Sequence, residues 1–161
     1  MGEAVPAAGA PVAVGDSMKH KEFLSQLDEA KIVQAIGEAE KKSSGEIRVF
    51  VSRRKVEDAL ATARKEFTRL GMAKTRQRNG VLLFFAPLSQ RFAIVGDTGV
   101  HEKCGDVFWQ EITASMSGLL RKREFTGAVV LAVQKVGELL ARHFPHQPDD
   151  KNELSDQIVR D

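Results

Sequence analysis

Residues 81–96 read Val-Leu-Leu-Phe-Phe-Ala-Pro-Leu-Ser-Gln-Arg-Phe-Ala-Ile-Val-Gly, and this stretch decides the fold class. Val81–Ala86 is apolar at every position, so both faces of a strand made from it must be covered. Such strands sit centrally in sheets that carry helices. Pro87-Leu88-Ser89-Gln90 interrupts the run with turn chemistry, because proline presets φ and cannot continue a ladder. Arg91–Gly96 then reads as a second strand, and the pair predicts an antiparallel hairpin.

Upstream, Ser25 followed by Asp28 resembles a capping box. Ile32, Val33, Ile36 and Ala39 recur at helical spacing, and Ser43-Ser44-Gly45 offers a left-handed glycine cap as the stop. Ile47, Val49 and Val51 alternate with Glu46, Arg48 and Ser52, the period of a strand. Val56, Ala59, Leu60, Ala63, Phe67 and Leu70 mark an amphipathic helix ended by Gly71. Downstream, Phe108, Ile112, Met116 and Leu119 form one helical stripe, and Phe125 to His143 forms a second helix that is apolar around much of its girth. Helix–strand–helix–strand–strand–helix–helix predicts an α/β domain of two or three layers.

The flanks differ from this middle part. Residues 1–19 are rich in Ala, Gly, Pro and Val and read as a flexible leader. Residues 20–145 form the domain. Residues 146–161 read as a charged, flexible tail in which Leu154, Ile158 and Val159 could make a short docking helix. Of the 161 residues, 42% are hydrophobic and 29% charged, a globular balance. No apolar run approaches the roughly 18 residues of a membrane helix. The N-terminus lacks a signal-peptide pattern, and a lone Cys104 excludes an intrachain disulfide. A cytoplasmic monomer is expected, with no membrane span. The net charge of +2 and the lack of exposed aromatics among basic runs argue against nucleic acid. Two of those runs, Arg53-Arg54-Lys55 and Lys74-Thr75-Arg76-Gln77-Arg78, bound one helix and could converge on an anion such as phosphate.

The densest polar group is Asp97-Thr98-Gly99-Val100-His101-Glu102-Lys103-Cys104-Gly105-Asp106, expected as a loop between a strand end and a helix start, where α/β domains keep their sites. Asp97, Glu102 and Asp106 offer hard oxygens to Ca²⁺ or Mg²⁺. Glu46, at the start of the first strand, joins them if strand order brings it near. Each acid also has a structural role open to it: Asp106 can N-cap a helix starting at Val107, and Asp97 with Gly99 can form a turn. His101 and Cys104 invite comparison with a thiol–imidazole pair, but no orienting third group is visible, and no catalytic residue is assigned.

Four segments together resemble the TPM-domain family, named from a thylakoid acid phosphatase, a photosystem II repair factor and an acetylcholine-receptor modulator. They are KIVQAIGEAEKKSSGEIRVFV (31–51), RNGVLLFFAP (78–87), RFAIVGDTGVHEK (91–103) and GAVVLAVQKVGELLARHFP (127–145). The resemblance is to the short bacterial branch. It implies an α/β/α sandwich with a small central sheet, a β-hairpin and about four flanking helices. It also implies loops that bind Ca²⁺ or Mg²⁺ in some members and phosphatase activity in a few. The family's Asp-Asn-Gly reads Arg78-Asn79-Gly80 here, so one acid is replaced by a cation. Asp106 keeps the later acid, and His101 or Glu102 stands for the family's Glu. Weak divalent-cation binding with phosphatase-like activity, as a metal-dependent phosphomonoesterase, is the first expectation. A non-catalytic module that docks an unidentified protein partner is the alternative.

Overall fold

The computed structural model describes Ala7–Ala8, residues 19–148 and residues 154–161. The central strand is β3 (Gly80–Ala86), buried at every residue. It pairs antiparallel with β4 (Arg91–Gly96) through the expected hairpin and parallel with β2 (Glu46–Val51). Two-residue strands complete the edges. β1 (Ala7–Ala8) lies against β4, and β5 (Val159–Arg160) lies against β2, giving the order β1-β4-β3-β2-β5.

Side chains alternate across this sheet with period two. Ile47, Val49, Val51, Val81, Leu83, Phe85, Phe92 and Ile94 face one core, packed against α1 (His20–Ser25), α2 (Glu29–Lys41), α4 (Thr98–Arg121) and α5 (Phe125–His143). Phe50, Leu82, Phe84, Ala93 and Val95 face a smaller core under α3 (Ala59–Arg69), closed by Ala59, Ala63 and Phe67. The result is the expected α/β/α sandwich. Among the described residues there are five helices, because the short α1 carries too little periodicity to be read from sequence. No helix of the described residues is long and apolar enough to cross a membrane.

Several local expectations change. Asp28 alone caps α2, accepting from the Lys31 amide at 3.2 Å, while the Ser25 hydroxyl donates to the Glu22 carbonyl inside α1. Gly45 is not left-handed; its role is room, since a Cβ there would stand 2.7 Å from Leu140 Cδ1. The expected leader lies outside the described residues except for Ala7–Ala8, which form β1, and Lys19. The expected flexible tail and its docking helix also differ at residues 154–161. Ile158 packs into one core and its neighbour Val159 against the other, which only extended chain can do.

The largest difference concerns residues 97–106, expected as a loop. They form the first turns of α4. Asp97 is the N-cap, and its main-chain oxygen accepts from the amides of Val100 and His101 at 3.0 and 2.9 Å. Gly105 breaks the ladder with φ 72° and ψ 179°, a conformation open to glycine alone, and the helix resumes beyond it. A second helical stretch therefore begins beyond Gly105, and Asp106 is its first residue and not the cap in front of it.

Candidate functional site

One end of the sheet gathers the starts of β2 and β3, the end of β4 and the start of α4. At its centre Arg78 meets Asp97 in a two-pronged ion pair. Nε donates to Oδ2 and Nη2 to Oδ1, each at 2.7 Å. Asp97 is fully buried, and the Arg78 side chain is 29% exposed. A bidentate guanidinium–carboxylate pair of this kind is both strong and directional. Hydrogen bonding to Asp97 holds the Arg78 guanidinium above its ordinary pKa. Asp97 Oδ1 also accepts from its neighbour Thr98 N at 2.7 Å.

The loop carrying Arg78 is pinned from several sides. Arg78 itself holds a left-handed φ of 51°, which costs a non-glycine residue about 1–2 kcal/mol. The Gly99 amide donates to the Arg78 carbonyl at 2.9 Å. Asn79 is 1% exposed. Its amide donates to Thr75 Oγ1 at 3.2 Å and its Nδ2 to Ser44 Oγ at 3.1 Å, while Ser44 Oγ donates to Gln77 Oε1 at 3.3 Å. Asn79 Oδ1 is buried and has no hydrogen-bond partner among the described residues. A buried acceptor left this way costs about 1–3 kcal/mol, so it draws attention to what could satisfy it.

The four carboxylates expected as ligands are placed differently from one another. Asp97 lies at the centre, neutralised by Arg78. Glu46 is 2% exposed and turned to the C-terminal segment, where Oε1 accepts from the Leu154 amide at 3.1 Å. Glu102 and Asp106 lie exposed on α4. Among the described residues no three His, Cys, Asp or Glu side chains form a group able to hold a metal ion. The arrangement thus fits a divalent cation in one respect and resists it in another. The unpartnered Asn79 oxygen would be satisfied by a cation, but Asp97 is open to one only if Arg78 swings away.

His101 and Cys104 do not form a nucleophilic pair. His101 Nδ1 accepts from Trp109 Nε1 at 3.4 Å, and its Nε2 lies 3.7 Å from Asp106 Oδ1. Burial pushes the Cys104 thiol up to about 11, from 9.0. At neutral pH that leaves roughly a hundredfold less thiolate than an unperturbed thiol. Alkylation by iodoacetamide is accordingly expected to be slower by about that factor than for free cysteine, measured as the rate of mass addition to the folded chain. The basic runs do not converge either. Arg53–Lys55 follow the end of β2, whereas Lys74–Arg78 precede the start of β3. In the parallel register Glu46↔Gly80 to Val51↔Phe85 these are opposite ends of the sheet.

Sequence reasoning picked out this end of the sheet and noticed Arg78. It missed Ser44, Gln77 and Asn79, which read as loop residues and gain meaning only from contacts across the chain. Comparison with known proteins agrees with the fold. No curated protein matches the chain. Among solved structures the fold is similar to the NMR structure of the BA42 protein from the psychrophilic bacterium Bizionia argentinensis, with 34% identity and a TM-score of 0.76. That likeness covers 83% of this chain and 92% of the other. Residues 17–139 match the TPM domain, and the chain therefore belongs to the TPM-domain family.

Proposed function

We propose that the Arg78–Asp97 end of the sheet is a low-affinity site for Ca²⁺ or Mg²⁺, in which the Arg78 guanidinium competes with the cation for Asp97. One observation carries this reading: a fully buried carboxylate is balanced by a partly exposed guanidinium, and Asn79, the residue that follows Arg78, keeps a buried oxygen without a donor among the described residues. A cation entering there would take Asp97 as its direct protein ligand, with the Asn79 oxygen as the nearest unsatisfied acceptor along the chain. Glu102 and Asp106 are exposed on α4 and would act through water. Glu46, engaged by Leu154, is left out of the set. Ligand charge sets affinity at such sites, and Arg78 cancels that of Asp97, so a dissociation constant on the order of 10⁻³ M is expected.

Phosphomonoester hydrolysis is the further step of the same reading. A bound cation polarises phosphoryl oxygens, and a displaced Arg78 is the residue that would pair with the phosphate. The test of the first step is a Ca²⁺ and a Mg²⁺ titration followed by amide shifts. Perturbation confined to residues 78–79 and 97–106 at millimolar cation supports the site, and none there sinks it. The second step is tested by turnover of a generic phosphomonoester with and without Mg²⁺.

A further inference from the structure

The segment 154–161 lies along the outer edge of β2, and several of its polar contacts end on a carboxylate. Val159 and Arg160 pair in parallel with Phe50 and Val51. Asp161 accepts from the Ser52 hydroxyl at 2.7 Å and the Arg53 amide at 2.8 Å, and Arg160 pairs with Glu29 on α2. At the other end, Leu154 donates to Glu46, and Asp156 lies against α2, its Oδ2 3.7 Å from where a Cβ on Gly37 would stand, one turn before Glu40, whose carboxyl it meets.

The last contact joins two groups that, when ionised, can only accept. Glu40 Oε2 takes the Ile47 amide at 2.8 Å. Its Oε1 is buried, and no donor among the described residues reaches it. The contact with Asp156 is therefore a hydrogen bond only when one carboxyl carries a proton. The charged groups facing Glu40 are Glu46 and Arg48 on β2 and Asp156 on the segment itself. Ionising Glu40 would place three carboxylates around one guanidinium, itself partly buried.

We propose that residues 154–161 form a proton-latched strap, in which a neutral Glu40 carboxyl donates to Asp156 and loss of that proton lets the strap leave the β2 edge. Burial first, and the hydrogen bond to Asp156 second, raise the Glu40 pKa from 4.5 to about 10. In the released state the carboxyl returns to water. Between those two values the closed form binds a proton that the open form does not. Attachment is then strongest below the ordinary carboxylate range, weakens as pH rises, and is lost above about 10. The opening equilibrium increases by up to about tenfold per pH unit across that window. Release leaves the Phe50–Val51 edge unpaired and open to another extended chain.

Hydrogen exchange on the full chain between about pH 5 and 9, corrected for intrinsic exchange, tests the latch. Protection of the peptide 154–161 is expected to fall by up to about tenfold per pH unit, while β3 stays constant. Glu40→Gln can donate to Asp156 at any pH and should flatten the slope while keeping the protection. Asp156→Asn, which can donate to an ionised Glu40, removes the second cause and leaves burial, so its slope should end at a lower pH than in the unaltered chain; it serves if the first variant fails to fold. A flat wild-type profile overturns the latch. So does an unchanged slope in the variants, or a slope shared by β3, which would report global unfolding.

Discussion

Arg78→Asn is expected to lower the stability of the cation-free protein by about 3–5 kcal/mol, the range found when one partner of a buried ion pair is removed. The reason is an asymmetry between the partners. Asp97 is fully buried and cannot recover water when the guanidinium leaves, whereas Arg78 is already partly solvated. Asn was chosen because it tolerates the left-handed backbone at position 78 better than most residues. Asp97→Asn should cost less, about 1–2 kcal/mol, through the lost pair, since Asn caps a helix about as well as Asp. The double variant should be more stable than Arg78→Asn alone, because no bare charge stays buried. Urea unfolding of the three variants at neutral pH checks the order. Equal losses for the two single changes would mean that Asp97 finds another counter-charge.

Gly99→Ala is expected to cost about 3 kcal/mol, the upper part of the usual range for overpacking. A Cβ at position 99 would stand 2.3 Å from the Gln77 carbonyl oxygen and 2.6 Å from that of Arg78. Both are backbone atoms of a pinned loop, so no side chain can rotate away to relieve the contact. The loop must shift, and with it the Gly99–Arg78 hydrogen bond and the aim of the guanidinium. Gly118, further along the same helix, provides the contrast. Nothing lies within 4 Å of its added Cβ, so Gly118→Ala should gain about 0.5–1 kcal/mol from helix propensity alone. Thermal melts of the two variants should therefore move in opposite directions.

The hairpin and its neighbours were legible because their signals are local. Val81–Ala86 is apolar throughout, Pro87 breaks it, and the helices flanking it repeat at three and four. The edge strands carried no such signal. Ala7–Ala8 are two small residues in an Ala-rich stretch, and Val159–Arg160 are strand only because β2 offers an edge. The first turns of α4 were read as a loop for a related reason. Asp97-Thr98-Gly99 has turn chemistry, and only the close approach of the loop at Gln77–Arg78 explains a glycine inside a helix. The site itself was half visible. Carboxylates at a strand end pointed to the end of the sheet where Asp97 meets Arg78, and the unusual Arg78 stood out. What each acid is bonded to depends on tertiary contacts: Asp97 on a loop before β3, Glu46 on the C-terminal segment, Glu40 on Asp156. Spacing along the chain reports none of these.

The central claim is that Arg78 serves as the counter-ion of Asp97 and holds a divalent cation to low affinity. Its most direct test is the Ca²⁺ dissociation constant of the unaltered chain beside that of Arg78→Asn, read from amide shifts of residues 97–106 at constant ionic strength. The account predicts millimolar binding in the former and at least about tenfold tighter binding in the latter, since removing one positive charge a few ångströms from the cation is worth more than 1.4 kcal/mol. Equal or weaker binding in Arg78→Asn, with the variant folded, would contradict it.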